Sequence, residues 1–198
     1  MASLFDTLET QAFRAGIEAR TKKSHNWFRK KVKELGTVSQ RKLLKDPATT
    51  KVTKPRIGDM VMYFYDPKWK NELPYYDRFP LTIMVQPAPG GFHGLNLHYL
   101  SPSVRAAFLD KLMETAPSKI TDSTRLTRMR YKLLISTRKY KEFKPCFKHY
   151  LMSHVASNMA RVAMPEWEIA VFLPLQQFRK VKDTSVWRYS REQYRQVK

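Results

Sequence analysis

A chain of 198 residues has a formal net charge of +20, from 37 lysines and arginines against 17 aspartates and glutamates. Its content of 42% apolar and 13% aromatic residues is enough for a folded core and excludes a disordered basic tail. A single cysteine excludes an internal disulfide and a multi-cysteine zinc site, which fits a reducing compartment. The positive excess indicates a polyanionic partner, with nucleic acid as the leading candidate.

The positive charge is unevenly distributed along the chain. The net charge is +9 over residues 1–56, −1 over 57–118, +8 over 119–150, −1 over 151–178 and +5 over 179–198. No apolar run reaches the roughly 18 residues that span a bilayer, and the first residues lack a signal-peptide pattern. We therefore expect a soluble intracellular protein with a neutral core, basic flanking segments and no membrane partner.

The first flanking segment is predicted to be a helical arm. Residues 3–20 have the period of an amphipathic helix, with Leu4, Leu8, Phe13 and Ile17 near one face. Residues 40–56 are basic and contain two prolines, which predicts an extended connector.

A second helix is predicted over residues 22–35, with Gly36 as its C-terminal cap. Trp27, Phe28 and Val32 lie among cationic residues, a mixture that suits a helix against an acidic surface. Three interpretations stay open: aromatic residues that dock on their own domain, a nucleic-acid contact, and a protein partner. The candidate nucleic-acid-binding residues here are Lys22, Lys23, Arg29, Lys30, Lys31 and Lys33.

The densest apolar stretch, residues 57–100, predicts a β core. Residues 60–65 and 81–85 are apolar at both alternating positions, as in strands buried on two faces. A Pro-Gly-rich reversal at residues 87–91 leads into a third strand over 92–100. The predicted fold class is α+β, with a small curled antiparallel sheet or SH3-like barrel, helical insertions and the basic helical arm.

Helices are predicted to follow the β core. Ser101 and Pro102 have the composition of a helix start, and the helix is expected to end at Met113 or Glu114. A further helix is predicted to begin at Asp122 or Ser123, with an apolar side and a strongly basic face. The candidate nucleic-acid-binding residues on that face are Arg125, Arg128, Arg130, Lys132, Arg138 and Lys139.

The last third of the chain predicts a helix over residues 144–162, a strand over 166–173 and a basic aromatic tail over 179–198. The predicted organisation has three parts: an arm and connector (1–56), one α+β domain (57–178) and the tail (179–198).

Signals for catalysis are weaker than the charge signal. A metal-dependent nuclease needs clustered carboxylates, often beside a lysine such as Lys68, but the acidic residues of the β core match no defensible metal spacing. They are Asp59, Asp66, Glu72 and Asp77. Neither His93 with His98 nor His149 with His154 has a convincing metal-ligand spacing. Cys146 at a predicted helix start is interpreted as a structural thiol, and no nucleotide-binding glycine motif is present, so no catalytic residue, metal or cofactor is predicted.

Four short sequence motifs carry a family resemblance: LPYYDRFPL at residues 73–81, GLNLHYL at 94–100, KPC at 144–146 and EWEIA at 166–170. Over roughly residues 55–180 the chain resembles small conserved proteins of T4-like contractile-tailed bacteriophages. The resemblance implies a virion structural role or protection of DNA ends, and it transfers no catalytic residue. Within the segment at residues 73–81 we interpret five residues as a structural motif, with a binding surface as the alternative. They are Tyr75, Tyr76, Asp77, Arg78 and Phe79.

We predict a non-enzymatic, virion-associated phage protein that binds double-stranded DNA phosphates without sequence specificity. It would either protect packaged DNA ends or lie in the virion where DNA passes. It is expected in the host cytoplasm during assembly and then in the virion, together with other phage virion proteins. The first alternative is a neck, tail or baseplate subunit whose basic arms bind neighbouring proteins. The second alternative is a metal-dependent nuclease.

Overall fold

The computed structural model describes residues 3–114, 132 and 141–195. The helices that have both ends in these ranges are α1 (Leu4–Arg14), α2 (Lys22–Leu35), α3 (Gln40–Lys45), α4 (Pro102–Glu114), α5 (Trp167–Phe172) and α6 (Asp183–Arg195). Short 3-10 turns cover Leu97–Tyr99, Lys141–Cys146, Met152–His154 and Met164–Glu166. No helix in the described part of the chain is long and apolar enough to cross a membrane.

The strands build one large sheet and one small ribbon. They are β1 (Thr50–Val52), β2 (Met60–Met62), β3 (Tyr76–Asp77), β4 (Leu81–Ala88), β5 (Gly91–Asn96), β6 (Phe147–Leu151), β7 (Met159–Val162) and β8 (Phe178–Arg179). Six of them form an antiparallel sheet in the order β1-β7-β2-β4-β5-β6, and β3 pairs with β8 as a separate antiparallel ribbon. The α+β class is confirmed, and the sheet is open with β1 and β6 at its edges, so it is not a closed barrel.

The central strands are buried on both faces, as their sequences predict. In β2, Met60 and Met62 join the main core with the helices, whereas Val61 joins an aromatic cluster on the opposite face with Tyr63 and Tyr150. All five of these side chains are nearly inaccessible to solvent. Alternation with a period of two therefore anchors the sheet in two apolar layers.

The first helix is shorter than predicted, and one residue of its predicted apolar face lies outside the core. α1 ends at Arg14 because the chain reverses at Gly16, which has a φ of +62°. Phe5, Leu8 and Ala12 face the core, while Phe13, predicted on the buried face, is 84% exposed. The predicted apolar stripe was therefore wrong at Phe13.

Two other predicted helices are confirmed. α2 covers Lys22–Leu35 and ends at Gly36, whose φ is +65°. Thr21 and Ser24 cap its first turn reciprocally through side-chain and backbone hydrogen bonds. α4 starts at Pro102 directly after Ser101 and ends at Glu114, as predicted.

Three predicted elements were wrong. The connector over 40–56 contains α3 and β1 instead of being extended throughout. The predicted helix over 144–162 is instead a 3-10 turn followed by β6 and β7, because β6 pairs along β5 and β7 lies between β1 and β2. The predicted strand over 166–173 is the buried helix α5. The tail also contains a helix, α6.

The helices of the arm contribute to the same core as the sheet. Phe5 of α1, Phe28 of α2 and Leu43 of α3 belong to one buried cluster with Leu81 of β4. The division into arm, domain and tail stays a prediction. The predicted helix that starts at Asp122 or Ser123 lies outside the described residues except for Lys132.

Candidate nucleic-acid interface

A cleft of about 700 Å³, which we call the basic cleft, opens beside α3, the β3–β8 ribbon and the loop after β2. Exposed cationic side chains from four separate stretches of the chain line it. They are Arg41, Lys70, Arg78, Arg179 and Lys180. Among the described residues around this cleft, Asp66 is the single carboxylate. The basic cleft therefore concentrates positive charge in a concave surface, which attracts polyanions.

The β3–β8 ribbon determines which side chains reach the cleft. Tyr76 pairs with Arg179 across the ribbon, and Asp77 pairs with Phe178. Successive residues of an extended segment point to opposite sides, so Tyr76 and Arg78 line the cleft while Asp77 between them is buried. Arg78 and Arg179 are thus presented to the cleft by a short ribbon that the buried Asp77 anchors on its other side.

Asp77 fixes the ribbon through four hydrogen bonds. Its Oδ1 accepts the backbone N–H groups of Phe79 at 3.0 Å and Gln177 at 2.9 Å. Its Oδ2 accepts from Asn96 Nδ2 at 3.2 Å and His98 Nδ1 at 2.7 Å. The carboxylate therefore joins β3, the start of β8 and the end of β5 at one point.

The buried pair of Asp77 and His98 has shifted protonation equilibria. Burial would raise the pKa of the Asp77 carboxyl, but the interaction with His98 and the backbone donors outweigh burial and hold this pKa below its usual value. Burial also lowers the pKa of His98, an effect that the attraction of Asp77 only partly offsets. At neutral pH we infer an ionised carboxylate and a neutral imidazole that donates its Nδ1 proton to Asp77.

Arg105 supports the same region from α4 without facing solvent. Its guanidinium donates to the carbonyl oxygens of Leu100 at 2.7 Å and His98 at 3.2 Å, and to Gln176 Oε1 at 3.3 Å. Burial lowers its pKa to about 10, so the group stays charged at neutral pH. This arginine connects α4 to the turn that holds His98 and is not available to a ligand.

Two of the cleft lysines already have partners in the protein. Lys180 has a φ of +73°, and its Nζ donates to the carbonyl oxygens of Asn71 at 3.0 Å and Leu73 at 2.6 Å. Lys70 pairs with Asp66 at 2.9 Å. The contacts of Lys180 hold the loop after β2 against the ribbon, and this loop forms one wall of the cleft.

The cleft arginines differ from these lysines in having no partner in the described part of the chain. Within the described part of the chain, the guanidinium groups of Arg41, Arg78 and Arg179 make no ion pair or hydrogen bond. Each offers a planar fork of N–H donors, which matches the oxygens of a phosphate. These three groups are the best-placed phosphate ligands among the residues that the structure describes.

The positive surface extends past Arg41. A neighbouring concavity of about 370 Å³ shares Arg41 and Phe64 with the basic cleft and adds Lys45 and Lys51. Both lysines are exposed. The two concavities together form a continuous basic track rather than an isolated pocket.

The cations predicted on α2 lie on its outer side. Phe28 and Val32 are buried, and Phe28 stacks on Phe172 with ring centroids 6.4 Å apart. Lys31 is half-buried, pairs with Glu34 at 2.7 Å and lies 5.9 Å from the centroid of the Trp27 ring. The remaining five are exposed: Lys22, Lys23, Arg29, Lys30 and Lys33.

The second predicted cationic set is mostly undescribed. Lys132 is helical and exposed. Five residues of that set lie outside the described ranges: Arg125, Arg128, Arg130, Arg138 and Lys139.

The sequence reasoning missed four cleft cations, Arg41, Lys70, Arg179 and Lys180, and treated Arg78 as part of a structural motif. Within that motif, Asp77 and Phe79 are buried, Tyr75 and Tyr76 are half-buried and Arg78 is exposed. The alternation of Tyr76, Asp77 and Arg78 was the available signal, since it gives Arg78 the side opposite to Asp77.

The candidate catalytic groups lie apart. Asp59 accepts the backbone N–H of Arg56, Asp66 pairs with Lys70, and Asp77 is buried against His98. Among the described residues, no group of three or more His, Cys, Asp and Glu side chains is arranged to hold a metal ion.

The remaining candidate groups are histidines and the cysteine. His93 and His149, which the sequence did not pair, face each other across β5 and β6 with ring centroids 5.0 Å apart. The interpretation of His149 and His154 as members of one helix was wrong. Burial raises the pKa of Cys146 to about 12, so this residue is a protonated thiol at neutral pH.

Residues 2–193 match the family described as phage T4 terminal DNA protecting protein. The chain belongs to this family. The resemblance to proteins of T4-like phages is therefore confirmed. The family match also covers α1 to α3, which precede the region that contains the four short motifs. Comparisons with curated proteins and with solved structures give no significant match.

Proposed function

We propose that this protein protects DNA ends by binding the phosphates of double-stranded DNA without reading their sequence. Its family is described by terminal DNA protection. The observation that supports the phosphate contact is the set of three guanidinium groups, of Arg41, Arg78 and Arg179, that line one cleft without a partner in the described part of the chain. Phosphates carry the same charge at every base pair, so such contacts position DNA without specifying sequence.

Binding through these groups predicts a strong dependence on salt. Each phosphate contact releases condensed counterions and adds about 0.9 to the slope of log K against log salt concentration. Replacement of Arg41, Arg78 and Arg179 by glutamine should weaken binding to an unrelated duplex and reduce this slope by about 3. Fluorescence anisotropy of a labelled 30-base-pair duplex, titrated from about 50 to 200 mM salt, measures both quantities.

A matched control separates the cleft from the total charge. Replacement of Arg14, Lys111 and Arg191 by glutamine removes an equal number of positive charges, but from exposed positions on α1, α4 and α6. This control should keep a slope close to that of the unmodified protein. Equal losses in both variants would mean that the cleft is not the interface, and undetectable binding of the unmodified protein at 50 mM salt would overturn the DNA proposal.

The proposed protection is stoichiometric rather than catalytic, because a bound protein blocks the end that an exonuclease must enter. Linear duplex should survive a duplex exonuclease once each end is covered, and the variant that lacks the three cleft arginines should protect less. We further propose that the protein acts in the host cytoplasm during assembly and accompanies the DNA end into the virion.

The cations that the sequence singled out on α2, and those between residues 125 and 139, are proposed as additional phosphate contacts. If charge reversal at these positions leaves DNA binding unchanged but blocks incorporation into virions, they contact virion proteins and the assembly function replaces this part of the proposal.

A further inference from the structure

An aromatic groove of about 300 Å³ lies directly beside the basic cleft. Tyr65 and Tyr76 line both concavities, so the two are adjacent. The groove runs between the loop that follows β2 and strand β6. We call it the aromatic groove; its walls include Trp69, Tyr75 and Tyr99.

Trp69 is an exposed aromatic side chain in the wall of this groove. Its side chain is 56% exposed, although the neighbouring Tyr99 is buried. Lys68 places its Nζ 4.9 Å from the centroid of the Trp69 ring, which adds a positive charge at the rim. An exposed indole with a cation beside it is a suitable platform for a flat, negatively charged ligand such as a nucleotide.

Lys148 brings a second cation into the groove from β6. Its Nζ lies 4.3 Å from the centroid of the Tyr99 ring, and no carboxylate in the described part of the chain pairs with it. Burial lowers the pKa of this ammonium group. Asp77 also lines the groove, but its two oxygens already accept four hydrogen bonds and do not pair with Lys148. A ligand phosphate would supply a direct counter-charge for this ammonium group.

We propose that the aromatic groove binds the terminal nucleotide of a DNA end, with the base stacked on Trp69 and its phosphate paired with Lys148. The proposal rests on the proposed DNA-binding function and specifies how an end is distinguished from interior duplex. Inside a duplex both faces of a base are covered by neighbouring base pairs, whereas a terminal base can open and stack on an aromatic side chain at small cost. The basic cleft then holds the phosphates that follow.

The test compares two duplexes of one sequence. One has open ends, and the other has both ends closed by ethylene glycol linkers. Stacking of one base on an aromatic side chain is worth about 1–3 kcal/mol, which corresponds to a preference of about 5- to 150-fold for the open duplex. Trp69→Ala should abolish this preference while it leaves affinity for the closed duplex unchanged.

Three further variants sharpen the result. Trp69→Phe retains an aromatic face and should retain most of the preference. Lys148→Gln should weaken binding to the open duplex only. Phe13→Ala removes another exposed aromatic side chain, on α1 and outside the groove, and should behave like the unmodified protein.

The outcomes distinguish this inference from the proposed function. Equal binding of both duplexes by the unmodified protein would overturn the terminal-nucleotide site and leave phosphate binding intact. Equal weakening of both duplexes by Trp69→Ala, or the same loss of preference in Phe13→Ala, would also overturn it. Failure to bind either duplex would overturn the proposed function itself.

Discussion

The residue on which the basic cleft most depends is one that no ligand touches. Asp77 accepts four hydrogen bonds and has no exposed side-chain surface. Its charge is stabilised by four hydrogen-bond donors and by the coulombic attraction of the buried Arg105 guanidinium. The His98 donor is neutral at neutral pH, because burial lowers its pKa. The orientation of Arg78, one residue further along, therefore depends on a buried hydrogen-bond network.

This network predicts loss of stability on acidification. The folded pKa of His98 is lowered, so the unfolded chain binds a proton near pH 6.5 that the folded chain does not accept until a lower pH. The free energy of unfolding should therefore decrease as pH falls below about 6.5, by at most about 1.4 kcal/mol per pH unit for this one group. Asp77, whose folded pKa is also lowered, adds a further loss as pH falls below about 4.

Urea unfolding at pH values from 7.5 to 5 measures this dependence. In His98→Gln, which cannot titrate, the curve of unfolding free energy against pH should be flatter over this interval. His149→Gln serves as the matched control, because it removes an exposed histidine outside the Asp77 network. A slope that is unchanged in His98→Gln would show that the acid sensitivity comes from other groups.

At the scale of elements, α2 is held in place by a carboxylate from the far end of the chain. Glu168 of α5 is 5% exposed and accepts the backbone N–H of Arg20 at 2.9 Å and the hydroxyl of Ser24. The two acceptors satisfy donors at the start of α2, where the helix dipole favours negative charge. The basic outer face of α2 is therefore oriented by a buried contact at its N-terminus.

Loss of this contact should destabilise the fold. Glu168→Gln removes the charge from two hydrogen bonds and is expected to cost about 1–3 kcal/mol. Ser24→Ala should cost a similar amount, and the double variant should cost less than the sum of the two single variants, since both remove the same contact. Thermal or urea unfolding of the three variants measures the coupling.

Glu34→Gln provides the comparison. This glutamate forms an exposed pair with Lys31 on the same helix, and such pairs contribute about 0–1 kcal/mol. Simple additivity of the Ser24 and Glu168 variants, or a loss in Glu34→Gln as large as in Glu168→Gln, would contradict the assigned role of Glu168.

The elements that the sequence predicted correctly have local signals. Gly36 ends α2 and Pro102 begins α4, because cap residues act within one turn. Continuous apolar runs without a period were ambiguous: they indicated the strands β2 and β4 correctly, but the run over residues 166–173 is α5, where each side chain from Trp167 to Phe172 is buried. A helix covered on all sides and a buried strand have the same composition, so only the tertiary surroundings distinguish them.

The candidate site was harder to predict for a related reason. Arg41 and Arg179 are far apart in sequence and meet only because β3 pairs with β8 beside α3. Charge counted along the chain gives high values for the segments that hold these two arginines, yet it assigns Arg78 to a segment with a net charge of −1. The cleft is a property of the folded surface and not of any one segment.

At the scale of the whole molecule, positive charge surrounds a sheet whose own side chains are largely apolar. Electrostatic attraction of this kind brings DNA to the protein quickly but does not distinguish a binder from a nuclease, since both attract phosphates. What distinguishes them is the role of the carboxylate in the cleft. A hydrolytic metal site would require Asp66, whereas a phosphate-binding surface is opposed by it.

Asp66→Asn therefore helps to separate the two alternatives, and plasmid cleavage is the readout that decides. If the cleft binds phosphates only, removal of the single carboxylate among its described residues should increase DNA affinity by about 0.2–1 kcal/mol, the range for exposed charge interactions. Supercoiled plasmid incubated with magnesium or manganese should stay intact with either protein. If the unmodified protein cuts the plasmid and Asp66→Asn, with an unchanged melting temperature, does not, the nuclease function replaces the one proposed, because a carboxylate that cleavage requires would be acting as a metal ligand.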